Sequence, residues 1–143
     1  MLANIIRFSS NILMAMLAIF VCFGVLESIW FLVIAGDWYR SSLADLLRED
    51  FIVWPWIVFY LLYGGVIFVL AVVANREKSL YYAGIDGALL GLASYGAYNL
   101  TNYSVLEGVG LSIALIDWGW GIFLTAVSAM AGWLGFQFTQ KQK

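Results

Sequence analysis

Residues 51–74 carry no charged side chain, and this run limits the possible folds more than any other feature of the chain. A helix rises about 1.5 Å per residue, so about 20 apolar residues cross the roughly 30 Å hydrocarbon core of a bilayer. Three more runs approach that length with one interruption each: 12–36 with Glu27, 80–102 with Asp86 and 111–138 with Asp117. Composition agrees. The chain is 64% hydrophobic and 11% charged, whereas soluble domains run near 45–50% and about 25%, so polar groups are too few to cover a globule in water. Strands fit less well, because the runs are long and do not alternate. The expectation is one all-α integral membrane domain over residues 1–143. It is a four-helix bundle with spans at about 12–36, 51–74, 80–102 and 111–138.

The same residues exclude several chemistries. The chain has no His and one Cys, Cys22, which removes His-ligated metals, His-dependent triads, an internal disulfide and an iron–sulfur cluster. Net charge is −2 with no basic patch, so nucleic acid is not an expected partner. No cofactor and no metal are expected. Orientation follows from the basic residues of short loops. Arg7, Arg76, Lys78, Lys141 and Lys143 fall on one side, Arg40 and Arg48 on the other. Both termini are therefore expected in the cytoplasm, with the first helix an uncleaved span and the protein multi-pass. In the first loop, Leu43, Leu46 and Leu47 lie at helical spacing among charged neighbours. They read either as a short amphipathic helix at the outer interface, with Trp38 and Tyr39 at headgroup depth, or as an ordered loop.

An ionisable group inside a span costs about 2.5–3.5 kcal/mol on insertion scales and faces the protein interior. Glu27 and Asp117 reach similar depth in the outer half, whereas Asp86 lies in the inner half. Tyr95, Asn99 and Asn102 share one face of the third span at i, i+4 and i+7. Asp117 and Trp120 share a face of the fourth, and Glu27 and Trp30 are one turn apart in the first. With Tyr60, these residues form a candidate ligand or ion site: Glu27, Trp30, Tyr60, Tyr95, Asn99, Asn102, Asp117 and Trp120. No catalytic residue is singled out. Two carboxylates in one low-dielectric cluster do not both stay ionised, and no Lys or Arg lies at their depth. The competing reading is that these groups only tie helices together, at about 0.6 kcal/mol per hydrogen bond.

Small residues mark the expected helix contacts. Gly87 and Gly91 form a G-x-x-x-G in the third span, beside Gly84 and Ala88, and Gly121, Ala129, Gly132 and Gly135 recur in the fourth. Asp86 reads either as a second acidic site or as a side chain reaching the cytoplasmic interface. Trp118 and Trp120 flank Asp117 and suggest an aromatic-lined pocket. Two glycosylation sequons, at Asn99 and Asn102, sit too close to the bilayer to count, and Cys22 reads as apolar filler.

Several runs carry a family resemblance: L-E-S-I-W-F at 26–31, W-Y-R at 38–40, L-A-D-L-L at 43–47, F-Y-L-L-Y at 59–63, Y-G-A-Y-N-L-T-N at 95–102 and D-W-G-W-G at 117–121. In this order they resemble a small bacterial membrane protein family labelled domain of unknown function 2177. The resemblance implies a four-helix inner-membrane protein with no established activity. It also implies two departures, Glu27 where the family usually has Asp and Asn99 where it often has Asp.

Three functions remain open. The first is binding or transport of a small amphipathic or lipid-like ligand, a proton or a cation at the outer cluster. The second is an accessory subunit of a larger membrane complex. The third is a lipid-modifying enzyme using paired carboxylates, which the absence of His and of a Gly-rich phosphate loop disfavours. Membrane lipids are the expected surroundings, with a homo-oligomer or a larger complex as the expected assemblies.

Overall fold

The computed structural model describes residues 2–42, 48 and 50–138, and side chains from residue 9 onward within them except that of Ser42. Helix α1 spans Leu2–Ile29 and runs into a π-helical turn at Trp30–Ile34, and α2 spans Gly36–Ser42. Helix α3 spans Trp54–Ile67 and continues through a π turn at Phe68–Val72 and a 3-10 turn at Val73–Asn75. Helix α4 is Leu80–Val105 and α5 is Leu111–Phe138. The described residues contain no strand. The leucines expected to form an outer amphipathic helix, Leu43, Leu46 and Leu47, lie outside the described residues.

Local chemistry accounts for the helix ends. Pro55 occupies the first turn of α3, where its missing N–H is not needed. At the other end of that segment the Asn75 side-chain amide donates to the Ala71 carbonyl at 2.9 Å, satisfying an acceptor the helix leaves open. The α4–α5 turn contains Gly108 at φ 91°, a left-handed conformation that side chains disfavour. At the α1–α2 corner a Cβ on Gly36 would collide with the Phe31 carbonyl oxygen, so the chain turns there only through glycine.

Three segments are long and apolar enough to cross a membrane: Ser9–Ile34, Trp54–Asn75 and Leu111–Phe138. Helix α4 has the length but not the same hydropathy, because it carries Asp86, Ser94, Asn99, Thr101 and Asn102 among its apolar residues. Four spans were expected, and α4 is the one that falls short by hydropathy. Part of its polar and small residues face other helices, whereas Thr101 is exposed. Ala83, Gly87, Gly91, Gly96 and Asn99 are its buried positions.

Helix α5 is the hub and packs chiefly on α4 and α1. The α4–α5 seam is an antiparallel series of large-to-small pairings. A Cβ on Gly87 would approach the Ala129 methyl to 2.7 Å and the Thr125 carbonyl oxygen to 2.8 Å. One on Gly91 would come within 2.5 Å of the Gly121 carbonyl and 2.9 Å of the Thr125 hydroxyl. One turn along, the Tyr95 ring lies where Gly121 has no side chain, and one turn further Asn99 meets Asp117. The G-x-x-x-G reading thus holds, with α5 of the same chain as the partner helix. On the other side of α5, Gly132 admits Ile19 and Val72, and Gly135 admits the α1 backbone at Met14. Ile19, Ile67, Val72, Leu124 and Phe136 are fully buried between the helices. Leu13, Leu17, Val21, Leu32 and Val33 are exposed, so α1 is apolar on both faces, as a helix in lipid is.

Candidate functional site

The buried row of α1 runs Asn11, Ala15, Ile19 and Phe23 at intervals of four. The next position in that row is Glu27, so the periodicity that builds the core also carries a carboxylate into it. Glu27 Oε1 accepts a hydrogen bond from the Tyr95 hydroxyl of α4 at 2.9 Å. Asp117 occupies the corresponding row of α5 and is 6% exposed. Its Oδ2 accepts from Asn99 Nδ2 at 2.7 Å, and the same amide donates to the Tyr95 carbonyl at 3.0 Å. Asn99 and Tyr95 therefore link the two acids through one turn of α4. The two carboxylates are close enough to interact electrostatically.

The other expected members fall around this core. Trp30 and Trp120 stack with ring centroids 4.7 Å apart and planes 11° from parallel. Tyr60 lies within electrostatic reach of Glu27 and sets its ring edge-on to Phe23. Asn102 joins Asn99, Tyr39, Tyr98, Leu106 and Ile113 around a cavity of about 60 Å³. All eight residues singled out in the sequence are thus neighbours at the α2 end of the structure.

One expectation needs correction, and one residue gains a role. The aromatic pocket was placed at Trp118 and Trp120. Instead, the Trp118 indole donates to the Leu92 carbonyl of α4 at 2.8 Å, lying over Gly96, which leaves room for its ring. Trp120 is occupied by its stack on Trp30, and the cavity walls carry Tyr39 and Tyr98. Tyr39, expected as an interface marker, also contacts the site. The π turn and the Gly36 corner fold α2 back so that Tyr39 is half-buried beside Asp117. Burial first, and then the Asp117 carboxylate, hold the Tyr39 hydroxyl above the ordinary phenol range. Its hydroxyl also lies near the Trp30 indole N–H, which makes no hydrogen bond of good geometry. The π turn and the Gly36 corner, which set this placement, leave no periodic trace in the sequence.

The electrostatics of the site are unbalanced. Among the described residues neither Glu27 nor Asp117 is ion-paired with Lys or Arg; the ion pairs present, Arg40–Asp37 and Arg76–Glu77, are local and lie in surface segments. Every donor to the two acids is neutral. Glu27 Oε2 and Trp120 Nε1 are buried without a partner, although most buried polar atoms find one. No group of three or more acidic or sulfur side chains gathers among the described residues. A divalent ion such as calcium, which takes six to eight oxygen ligands, would find too few here.

Two further polar groups lie deeper. The Tyr63 hydroxyl of α3 is 2.7 Å from Ser94 Oγ and 3.0 Å from Thr125 Oγ1, joining three helices. Towards the far end, Asn75 Nδ2 donates to Asp86 Oδ2 at 2.5 Å, and the Trp133 indole donates to the Asn75 carbonyl at 2.9 Å. Asp86 is therefore held by an amide partner from the end of the preceding helical segment.

A family model described as Predicted membrane protein (DUF2177) matches residues 12–134. The chain belongs to that family. No curated protein and no solved structure matches it. The matched stretch takes in Glu27, the whole α4–α5 seam and Asp117, so the cluster is built within the region common to the family model.

Proposed function

We propose that the Glu27–Asp117 cluster binds a proton or a small monovalent cation within a four-span bundle of a bacterial inner membrane. Both termini lie in the cytoplasm and the cluster lies in the outer half. The observation that carries this reading is the pair of adjoining carboxylates held only by neutral donors, Tyr95 and Asn99. Leaving two negative charges together in a low-dielectric interior is costly, and no side chain supplies the compensating charge. A proton or a monovalent ion would supply it, and the partnerless Glu27 Oε2 is the atom left to receive it.

Size favours the smaller of the ligand classes left open by the sequence. Pockets for amphipathic or drug-sized molecules run at about 300–1,000 Å³, against a cavity of about 60 Å³ beside Asn99. That volume suits waters and an ion, not a lipid chain. Tyr39 and Tyr98 at its wall give the ion a partly polar approach.

Thermal unfolding in detergent tests the reading, with sodium chloride and acid titrated separately against choline chloride as the control salt. A ligand that binds only the folded state stabilises it by RT ln(1 + [L]/Kd), about 2.7 kcal/mol at a hundred times Kd. Sodium or protons should raise the wild-type melting midpoint, and Glu27→Gln and Asp117→Asn should abolish that response. Equal responses in wild type and both variants would make the polar groups interhelical ties only.

A further inference from the structure

The cavity of about 60 Å³ is walled by three helices and one turn residue, Val109. Helix α2 supplies Tyr39, α4 supplies Asn99 and Asn102, and α5 supplies Ile113. Ile113 lies one turn before Asp117 on the same face of α5, so the carboxylate stands one turn from the cavity, behind its partner Asn99. What the wall offers can be counted atom by atom. Asn99 spends both hydrogens of its amide nitrogen, one on the Tyr95 carbonyl at 3.0 Å and one on Asp117 Oδ2 at 2.7 Å. Its remaining polar atom is Oδ1, which only accepts. The single hydroxyl hydrogen of Tyr39 is turned to the Asp117 carboxylate, so lone pairs are what its oxygen has left. The Trp30 N–H beside it can take one of them, and one remains. Asn102 follows Asn99 by one turn of α4, and its amide oxygen is a third acceptor. No Lys or Arg lines the cavity.

We infer that this cavity is a binding site for an alkali-metal ion, with Asn99 Oδ1, Asn102 Oδ1 and Tyr39 Oη as its protein ligands and Asp117 as the counter-charge. The inference rests on the cation-site reading above and selects a metal ion over the proton as the occupant. A proton needs one lone pair, and a carboxylate oxygen supplies it without any cavity. An alkali-metal ion needs several oxygens to replace the water it sheds, as carbonyl oxygens do in ion-selective filters. Neutral oxygens from α2 and α4 meet that need, with water completing the shell. There is space for both, since one water needs only about 10–15 Å³ and the cavity holds about 60 Å³. Charge sets the valence. One carboxylate behind the wall matches a single positive charge, and the same carboxylate and lone pairs repel an anion. Leu106, Val109 and Ile113 form the rest of the wall. Their low dielectric strengthens the attraction between the ion and Asp117. Tyr39 joins the ligand set only because the Gly36 corner folds α2 back.

The test titrates the purified full chain in detergent with radioactive sodium at one fixed pH, using unlabelled sodium and choline as competitors. Wild type should bind sodium saturably, displaced by sodium and not by choline. Asn102→Leu and Tyr39→Phe should each weaken binding by about tenfold or more, because each takes one oxygen from the ion. Asn102→Asp should tighten it, because it adds a carboxylate to the wall. A merely structural Asn102 would lose affinity in both of its variants, so opposite directions separate a ligand from a prop. Monodisperse elution shows which variants fold, and Tyr39→Phe keeps the ring. Wild-type affinity in folded Asn102→Leu and Tyr39→Phe, or weaker binding in folded Asn102→Asp, overturns the site. If wild type binds no sodium yet acid raises its melting midpoint through Glu27, the cluster is a proton site and the metal site falls alone. If neither sodium nor acid acts on the wild type, both readings fall.

Discussion

The two ends of the α4–α5 seam are closed by opposite means. At the far end the helices meet backbone to backbone, with Gly87 on Ala129 and Gly91 on Gly121 and Thr125. At the α2 end the same two rows are held apart and the gap is filled by side chains: Tyr95 over Gly121, Trp118 over Gly96 and Asn99 against Asp117. The acids follow the packing. Where helices touch, Asp86 has one amide partner at the edge of the contact. Where they part, two acids, several phenols and a small cavity share the space. Glycine spacing therefore shapes how polar groups are housed: the cavity of about 60 Å³ lies at the α2 end, beside Asn99 and Asn102.

The comparison can be broken most severely at the tight end. Gly91→Leu should destabilise by about 3 kcal/mol or more, above the usual 1–3 kcal/mol of overpacking, because the obstacles are backbone atoms that cannot swing aside. Melting in detergent would show it, and a wild-type midpoint would mean the helices are not in contact there. At the open end, Asp117→Ala should cost about 1–3 kcal/mol by stranding the Asn99 amide, whereas Asp117→Asn should cost less because an acceptor remains. The difference between those two variants is the quantity to measure. A pH scan separates the ends again. The Tyr39 hydroxyl is held above its ordinary value near 10 in the folded state, so above pH 10 the unfolded chain binds fewer protons and stability falls as pH rises. Tyr39→Phe should flatten that alkaline loss; an unchanged slope would remove Tyr39 from the Asp117 environment. The smallest effect is expected at Gly119, where an added Cβ meets nothing within 4 Å. Gly119→Ala should be neutral or slightly stabilising, by up to about 1 kcal/mol of helix propensity.

Much of this was legible in the sequence, because buried rows in long helices repeat every three or four residues. Glu27 was readable beside Phe23, and Tyr95 with Asn99 beside Gly91, since each polar residue continues a row whose other members are small or apolar. Asp117 was readable by the same logic. The hydrophobic difference of α4 was present in the letters but hidden by its length. The approach of Tyr39 to Asp117 was not legible because it depends on a corner, and corners depend on single backbone contacts such as Gly36 against Phe31. The Tyr63–Ser94–Thr125 meeting was not legible because it joins three helices, and one helix's periodicity does not specify the rotation of another.

The π turn at Trp30–Ile34 has a consequence for tolerance to insertion and deletion. The Ala35 N–H bonds the Trp30 carbonyl five residues back, at 2.8 Å, so the turn holds one residue more than an α-helical turn. Each residue advances an α-helix by about 100°, so removing one residue here would reset the angular phase of everything that follows. Trp30 would keep its stack on Trp120, while Tyr39 would swing away from Asp117. A single-codon deletion in this segment is thus predicted to leave the helices assembled yet open the wall of the acidic cluster, a lesion that no substitution in α2 would reproduce.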